Sequence, residues 1–305
     1  MMPSKDVIYF SFADLQMELR TGMSVTVKKN FLPFITQGET PECIFEFVPV
    51  DEMCDLDGEY LYRGLEYEVF RNQRGQLIRV FKDHKEDDRI YAWSQMNRNE
   101  GENHVKVFFL KGNEKYFDST NNSFFHSGWE QVLLWKNRMI LHASLIDTGT
   151  GGILFSGPSG MGKSTQAALW EQYENAAQIN GDRPVLYRKG NQWLGCGSPY
   201  AGSSDCYVNK CIPLRAIVLL QQGTENLLNP LPLAQAVRQI YANSTVYAWN
   251  QDYVEHIMTL ITDLAVSIPV YHLSCRPDRD AVELLKKELQ KEEAQREVLQ
   301  KEASL

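Results

Sequence analysis

Eight consecutive residues carry the most chemistry for their length in this sequence. Gly157-Pro158-Ser159-Gly160-Met161-Gly162-Lys163-Ser164 fits the pattern G-x-x-x-x-G-K-[ST] at every fixed position. Glycines at those places let successive backbone N–H groups turn inward around phosphate oxygens. A helix starting near the lysine adds the positive end of its dipole. Lys163 then reaches the outer phosphates of a nucleoside triphosphate, the Ser164 hydroxyl holds Mg²⁺, and Thr165 follows in the first helical turn. The competing reading is a structural glycine-rich turn. The flanks oppose it, because Ile153–Ser156 reads as a strand running into the loop and Ser164–Tyr173 as a helix leaving it.

Two further residues are candidates for work at such a phosphate. Asp182, in Ile179-Asn180-Gly181-Asp182-Arg183, ends a short strand after the loop's helix, where a carboxylate can hold Mg²⁺ or accept a hydroxyl proton. Asn-Gly-Asp is also ordinary turn chemistry, so both readings stand. His142 lies within the expected strand Met139–Ile146, where a histidine is more often packed than catalytic. That strand should nevertheless pair with the one that delivers the loop, which brings an imidazole beside the terminal phosphate. Arg215 and Arg276 stand at expected strand ends, from which a guanidinium can grip phosphate oxygens bidentately. Ser198, Ser203, Ser204 and Lys210 lie in or just after a Gly/Ser/Pro-rich loop that either covers an acceptor or is a plain linker.

These groups need a frame. From residue 7 to 118 the pattern is strands broken by turns: Val7–Phe12, Ser24–Lys28, Ile44–Val50, Tyr67–Phe70, Leu77–Phe81, and a hairpin of Val105–Leu110 with Lys115–Phe117 around Gly112-Asn113. Asp118–Ser123 interrupts the apolar pattern and marks a boundary. Ser127, with Glu130 three residues on, forms a capping box for a helix over Ser127–Lys136. The strands Met139–Ile146 and Ile153–Ser156 are joined by so short a turn that they must be antiparallel neighbours, because a parallel pair needs a crossover of roughly a dozen residues. The sheet is therefore mixed. Further strands are expected at Ala176–Asn180, Val185–Arg188, Gln192–Leu194, Arg215–Leu220 and Val270–Ser274, and helices at Leu233–Tyr241, Tyr253–Leu264 and from Asp280 onward. The reading is an α/β chain with a β-rich module over residues 1–120, a nucleotide-binding core over 121–285 and a charged helical tail over 286–305.

Composition narrows the classes. The 305 residues are 43% apolar, ordinary for a folded chain, and the net charge of −8 opposes general affinity for nucleic acid or an anionic membrane. No apolar run approaches the roughly eighteen residues of a membrane span. The start, Met1 to Asp6, lacks the features of a signal peptide, so a cytoplasmic location is expected. The six cysteines, Cys43, Cys54, Cys196, Cys206, Cys211 and Cys275, form no C-x-x-C pair and are read as reduced. Cys206 and Cys211 are a remote metal-ligand pair, with no second pair at a suitable spacing.

His142-Ala143-Ser144, a short turn, Gly152-Ile153-Leu154-Phe155-Ser156 running into Gly157–Thr165, and then Asp182 resemble the nucleotide core shared by HPr kinase/phosphorylase and phosphoenolpyruvate carboxykinase. Ile179–Pro184, Gly197–Ser204 and Pro213–Leu220 add a likeness to HPr-kinase-like peptide-tailoring kinases such as lasso-peptide kinases. The resemblance spans residues 125–285 and implies a P-loop kinase core. It also implies ATP with Mg²⁺ as cofactors, GTP staying open, a hydroxyl acceptor on a peptide, protein or small molecule, and a homo-oligomer. It assigns His142 and Asp182 to the terminal phosphate, the metal and the acceptor hydroxyl. Those families carry two adjacent aspartates, whereas Gly181-Asp182-Arg183 has one. The expected function is ATP-dependent phosphoryl transfer to a hydroxyl, plausibly a serine. The alternatives are a nucleotide-binding regulatory or scaffold protein, and a carboxykinase-like enzyme acting on a small acid.

Overall fold

Apolar side chains at alternate positions build the first half of the chain into a sheet. The computed structural model describes residues 5–38, 40–53, 56, 58–85, 88–95 and 103–303. They form two units, Met1–Lys136 with Tyr247–Tyr253, and Asn137–Val246 with Val254–Leu305.

In the first unit, β1 (Lys5–Phe12), β2 (Leu15–Val25), β3 (Cys43–Val50), β4 (Gly58–Arg63), β5 (Glu68–Asn72), β6 (Leu77–Asp83), β7 (Arg89–Gln95) and β8 (His104–Leu110) make one sheet, ordered β1-β2-β3-β8-β7-β6-β5-β4. β3 runs parallel to both β2 and β8. Helices α1 (Thr120–Ser127) and α2 (Trp129–Trp135) follow. Phe124 of α1 packs edge-on against Phe10 with ring centres 5.1 Å apart, and Trp129 meets Phe12 at 5.9 Å. Arg79 is buried with its guanidinium 3.9 Å over the Tyr67 ring and 5.4 Å from Phe125, a cation held by aromatic faces. Tyr247 donates to Glu130 at 3.2 Å and stacks on Trp249, so the late segment Tyr247–Tyr253 completes this unit's aromatic packing.

Several expectations change here. β2 occupies Leu15–Val25 where Ser24–Lys28 was expected, and β4 and β7 are additional strands. Lys115–Phe117 is no strand: after Gly112, with its left-handed backbone (φ 86°), the chain tightens into a 3-10 turn at Glu114–Phe117, which buries Phe117. The polar stretch at residues 118–123 is partly helix, with Thr120, Ser123 and Phe124 buried on one side of it while Asn122 is exposed. Ser127 ends α1 and donates to the Phe124 carbonyl at 2.7 Å. The helix starts at Trp129 after left-handed Gly128, and no capping box forms. Cys54 lies outside the described residues.

The second unit contains β9 (Arg138–Ile140), β10 (Ala143–Asp147), β11 (Gly152–Ser156), β12 (Ala177–Asn180), β13 (Val185–Lys189), β14 (Gln192–Cys196), β15 (Cys211–Gln222), β16 (Leu227–Pro230) and β17 (Val270–Cys275). The order β12-β10-β11-β15-β14-β13-β9, with β17 beside β15, is mixed. β10 is antiparallel to β11, as the short turn requires, while β11, β15 and β17 run parallel. α3 (Lys163–Glu174) and α6 (Arg279–Ala303) bury Ala167, Trp170, Val282, Leu285 and Leu289 against Phe155, Val218, Leu220, Tyr271 and Leu273. α4 (Leu233–Ala242) and α5 (Gln251–Ser267) complete the helices. None of the described helices is long and apolar enough to cross a membrane.

Two corrections bear on chemistry. The expected strand Met139–Ile146 is broken: β9 pairs with β13, β10 pairs with β11 and β12, and His142 sits at the bend between them. Cys196 and Cys211 are not reduced thiols but a disulfide, because antiparallel pairing of β14 with β15 sets them directly opposite each other. Cys211 is thereby removed as a metal ligand, and no cluster of three metal-binding side chains occurs among the described residues. Cys43, Cys206 and Cys275 take no part in a disulfide.

His126 supplies a test of the first unit. Its Nδ1 donates to the Asn122 carbonyl at 2.6 Å and its Nε2 accepts from the Tyr91 hydroxyl at 2.8 Å, inside a cage of Phe81 and Phe117. Burial pushes its pKa down to about 3 from 6.5. Between those values the unfolded chain binds the extra proton, so stability is full above pH 6.5 and falls as the pH drops below it. From pH 7 to pH 5 this group should remove roughly 2 kcal/mol, read by urea unfolding at both pH values. His126→Phe should lose that difference, and an unchanged pH slope in the variant would refute the assignment.

Candidate functional site

β11 is buried along its whole length and delivers the chain to the upper edge of the sheet. There Gly157 takes φ 147°, and a Cβ at that position would lie 3.3 Å from the Leu220 carbonyl oxygen of neighbouring β15. Gly160 (φ 82°) and Gly162 (φ 93°) use left-handed backbone that a side chain would strain. The first bond within α3 runs from the Gln166 N–H to the Gly162 carbonyl, 2.9 Å. The amides of Lys163, Ser164 and Thr165 therefore precede the helical ladder, at the positive end of the helix. Gln222 of β15 donates to the Gly160 carbonyl at 2.8 Å and ties down the crest of the loop.

A cleft of about 270 Å³ opens beside this loop, lined by Ser159, Gly160, Gly162, Lys163, Ser164 and Thr165 on one side and by His142, Gly181, Asp182, Ala201, Ser203 and Ser204 on the other. The Lys163 ammonium folds back onto the loop, donating to the Gly157 carbonyl at 2.9 Å and the Pro158 carbonyl at 3.3 Å. Burial holds its pKa below the usual lysine value, while Asp182 pulls in the opposite direction.

Asp182 is placed by its backbone. The fully buried Asn180 accepts from the Asp182 N–H (3.0 Å) and the Arg183 N–H (2.8 Å) through Oδ1, and gives its own amide hydrogen to the Ser198 carbonyl (3.0 Å). The Ala143 N–H donates to the Asp182 carbonyl (2.9 Å), and the Ser144 hydroxyl to the Gly181 carbonyl (3.1 Å), fixing the turn against β10. A Cβ at residue 181 would stand 1.7 Å from the Ser204 hydroxyl oxygen, so any residue but glycine here must displace Ser204. Asp182 Oδ1 is 3.0 Å from His142 Nε2, and its Oδ2 is 3.7 Å from Arg183 Nε.

His142 is held by main chain on both sides. Its N–H donates to the Asn243 carbonyl at 2.7 Å, and its carbonyl accepts from the Ser156 hydroxyl at 2.8 Å, immediately before the glycine loop. Burial and then the nearby Lys163 charge lower its pKa, with Asp182 offsetting part of the effect. The lowered pKa favours the neutral imidazole beside Asp182.

Other expected site residues lie elsewhere. Arg215 is at the opposite end of the parallel strands from the loop, since Gly152 pairs with Leu214 while Ser156 pairs with Leu219. Its guanidinium binds Thr150, the Leu289 carbonyl and Glu293, anchoring α6. Arg276 is on the loop's edge of the sheet, just past Cys275, but it pairs with Asp278 and Asp280 and does not line the cleft. Met161 packs into the core. Ser198 is buried and donates to the Arg183 carbonyl at 2.6 Å, and Lys210 pairs with Asp147 at 2.7 Å. Asn180, Ser156, Gln222 and the contact of Ser204 with residue 181 are working parts that sequence reasoning missed. Only Asn180 left a signal, in the Asn-Gly-Asp turn.

No protein-family model matches the sequence, and no curated protein matches it either. Among solved structures, the chain is similar to the Hpr(Ser) kinase/phosphatase from Coxiella burnetii, at 14% identity and a TM-score of 0.33. The likeness covers 53% of this chain and 94% of that one.

Proposed function

We propose that the second unit binds ATP with Mg²⁺ at Gly157–Thr165 and transfers the γ-phosphoryl group to a hydroxyl, such as a serine of a peptide or protein. One observation carries this reading: a single cleft gathers the glycine loop, Lys163 and Ser164 on one wall and the Asp182–His142 pair on the other. The Ser164 hydroxyl and the Asp182 carboxylate are hard oxygen donors lining that cleft, a set that suits Mg²⁺ completed by phosphate oxygens and water. The cation, when bound, neutralises phosphate charge.

The chain's own residues do the rest by position. Loop amides and the start of α3 receive the phosphates, and Lys163 leaves the Gly157 and Pro158 carbonyls for phosphate oxygens, a stronger charge-assisted partner. Among the described residues Asp182 is the one carboxylate lining the cleft, and it accepts the acceptor's proton while His142 orients it through the 3.0 Å contact. Gly181 and Ser204 close that wall, since a side chain at residue 181 would displace Ser204.

Three outcomes are expected. Lys163→Ala should lose at least about a hundredfold in γ-³²P transfer through lost charge stabilisation. Asp182→Asn should lose roughly 10²–10⁴-fold in transfer while still binding MgATP by calorimetry. Binding without transfer or hydrolysis by the unaltered protein, with any acceptor or cell extract, would favour a nucleotide-dependent scaffold.

The pH profile tests His142. Its lowered pKa predicts a rate that declines on the acid side with a midpoint below 6.5, as protonation sets a positive ring against Asp182. His142→Asn should abolish that acid limb, and persistence of the limb would remove the ring from the reaction.

Gly181→Ala tests the wall. It should lower both the melting temperature and the transfer rate by pushing Ser204 away, and adding Ser204→Gly should recover much of each. A coupling energy near zero in the double-mutant cycle would contradict the contact.

A further inference from the structure

A second cavity, of about 490 Å³, abuts the first two loop residues, Gly157 and Pro158. Its size falls within the range of small-ligand sites. Its floor is formed by Leu219 and His272, which alternate with the residues that face the α3–α6 core. Gln235 and Gln239, one turn apart on α4, form its wall together with Asn243 just past the helix. Among the described residues that line it there is no Asp, Glu, Lys or Arg. The phosphate cleft, by contrast, holds Lys163, Asp182 and His142.

The two cavities share no lining residue but are joined through the backbone at two places, Pro158 to Ser159 and Asn243 to His142. Asn243 lines the second cavity, and its carbonyl receives the His142 N–H at 2.7 Å. Ser164 and Thr165, at the start of α3, line only the phosphate cleft. A ligand in the second cavity therefore lies against Gly157 and Pro158, one residue from Ser159 of the phosphate cleft. Asn229 and Pro230 of the lining belong to β16, which among the described strands pairs only with β17 and so offers an edge to an extended chain.

We propose that this cavity seats the acceptor, an uncharged peptide segment bearing a serine or threonine. Its main-chain amides pair with the carboxamides of Gln235, Gln239 and Asn229, groups that each carry both donor and acceptor. The assignment rests on the phosphotransfer reading above. The acceptor oxygen forms a bond to the γ-phosphorus as the bond from that phosphorus to the β–γ bridging oxygen breaks. ADP leaves with the electron pair, and the hydroxyl proton passes to Asp182.

The test uses the full chain, MgATP labelled at the γ-phosphate, and panels of acetylated, amidated peptides with one serine or threonine flanked by neutral, acidic or basic residues. Neutral peptides should be labelled best. The exposed double substitution Gln235→Leu with Gln239→Leu should raise KM for them by about tenfold, the loss expected of two hydrogen bonds. Its melting temperature and MgATP Kd should stay unchanged. Better labelling of charged peptides, or an unchanged KM, overturns the proposal. So does weakened binding of ATP with unchanged binding of inorganic tripolyphosphate, which would make the cavity a nucleobase site. A double substitution that lowers the melting temperature is replaced by Gln239→Glu, which should penalise acidic peptides over neutral ones, and failure to do so also overturns it. Tight MgATP binding and Lys163-dependent hydrolysis with no peptide labelled sinks this proposal alone, whereas absence of MgATP binding sinks the parent reading too.

Discussion

The cleft depends on the bonds that pin Gly181 and Asp182 to strand β10. The Ala143 N–H holds the Asp182 carbonyl, the Ser144 hydroxyl holds the Gly181 carbonyl, and buried Asn180 folds the turn from the other side. A carboxylate on a free loop would pay rotamer and backbone entropy each time it met a phosphate. Here the backbone is set before any ligand arrives. Because β10 is also the antiparallel neighbour of β11, the same sheet that aims Asp182 launches the glycine loop. Asp182 and the loop are thus both anchored to β10, one by turn bonds and the other by ladder bonds.

That shared frame also explains the electrostatics. The chain carries a net charge of −8, yet the cleft sets Lys163 and the helix N-terminus against Asp182, with Arg183 beside that carboxylate. Partial burial lowers the proton affinity of both Lys163 and His142, and each feels Asp182 as the opposing influence. The three groups form one coupled unit in which the acidic member stabilises the charge of the other two.

Much of this was legible from residue types. The glycine loop, its flanking strand and helix, the antiparallel pair and the mixed sheet follow from local rules: left-handed backbone, short connections and apolar periodicity. What escaped depended on contacts distant in sequence. His142 reads as mid-strand because Leu141 and Ile140 continue the apolar run, and only the Asn243 carbonyl, about a hundred residues later, accounts for the bend. Arg215 looks like a phosphate ligand until strand register puts it at the wrong end of β15. Cys196 and Cys211 become partners only through that register as well. The Ser127 capping box failed for a local reason, since Gly128 could take the left-handed conformation and end one helix before another began.

The segment Tyr247–Tyr253 has a consequence for synthesis. It belongs to the first unit, although the residues before and after it belong to the second. Tyr247 meets Glu130 across 117 positions of sequence. A ribosome has therefore translated most of the chain, the glycine loop included, before the first unit receives its last aromatic residues. Until then the face that takes Tyr247 and Trp249 is incomplete, and closing so long a loop is entropically slow. The unit made first is thus not finished first, and the nascent chain passes through a stage at which early aromatic surface awaits a late partner.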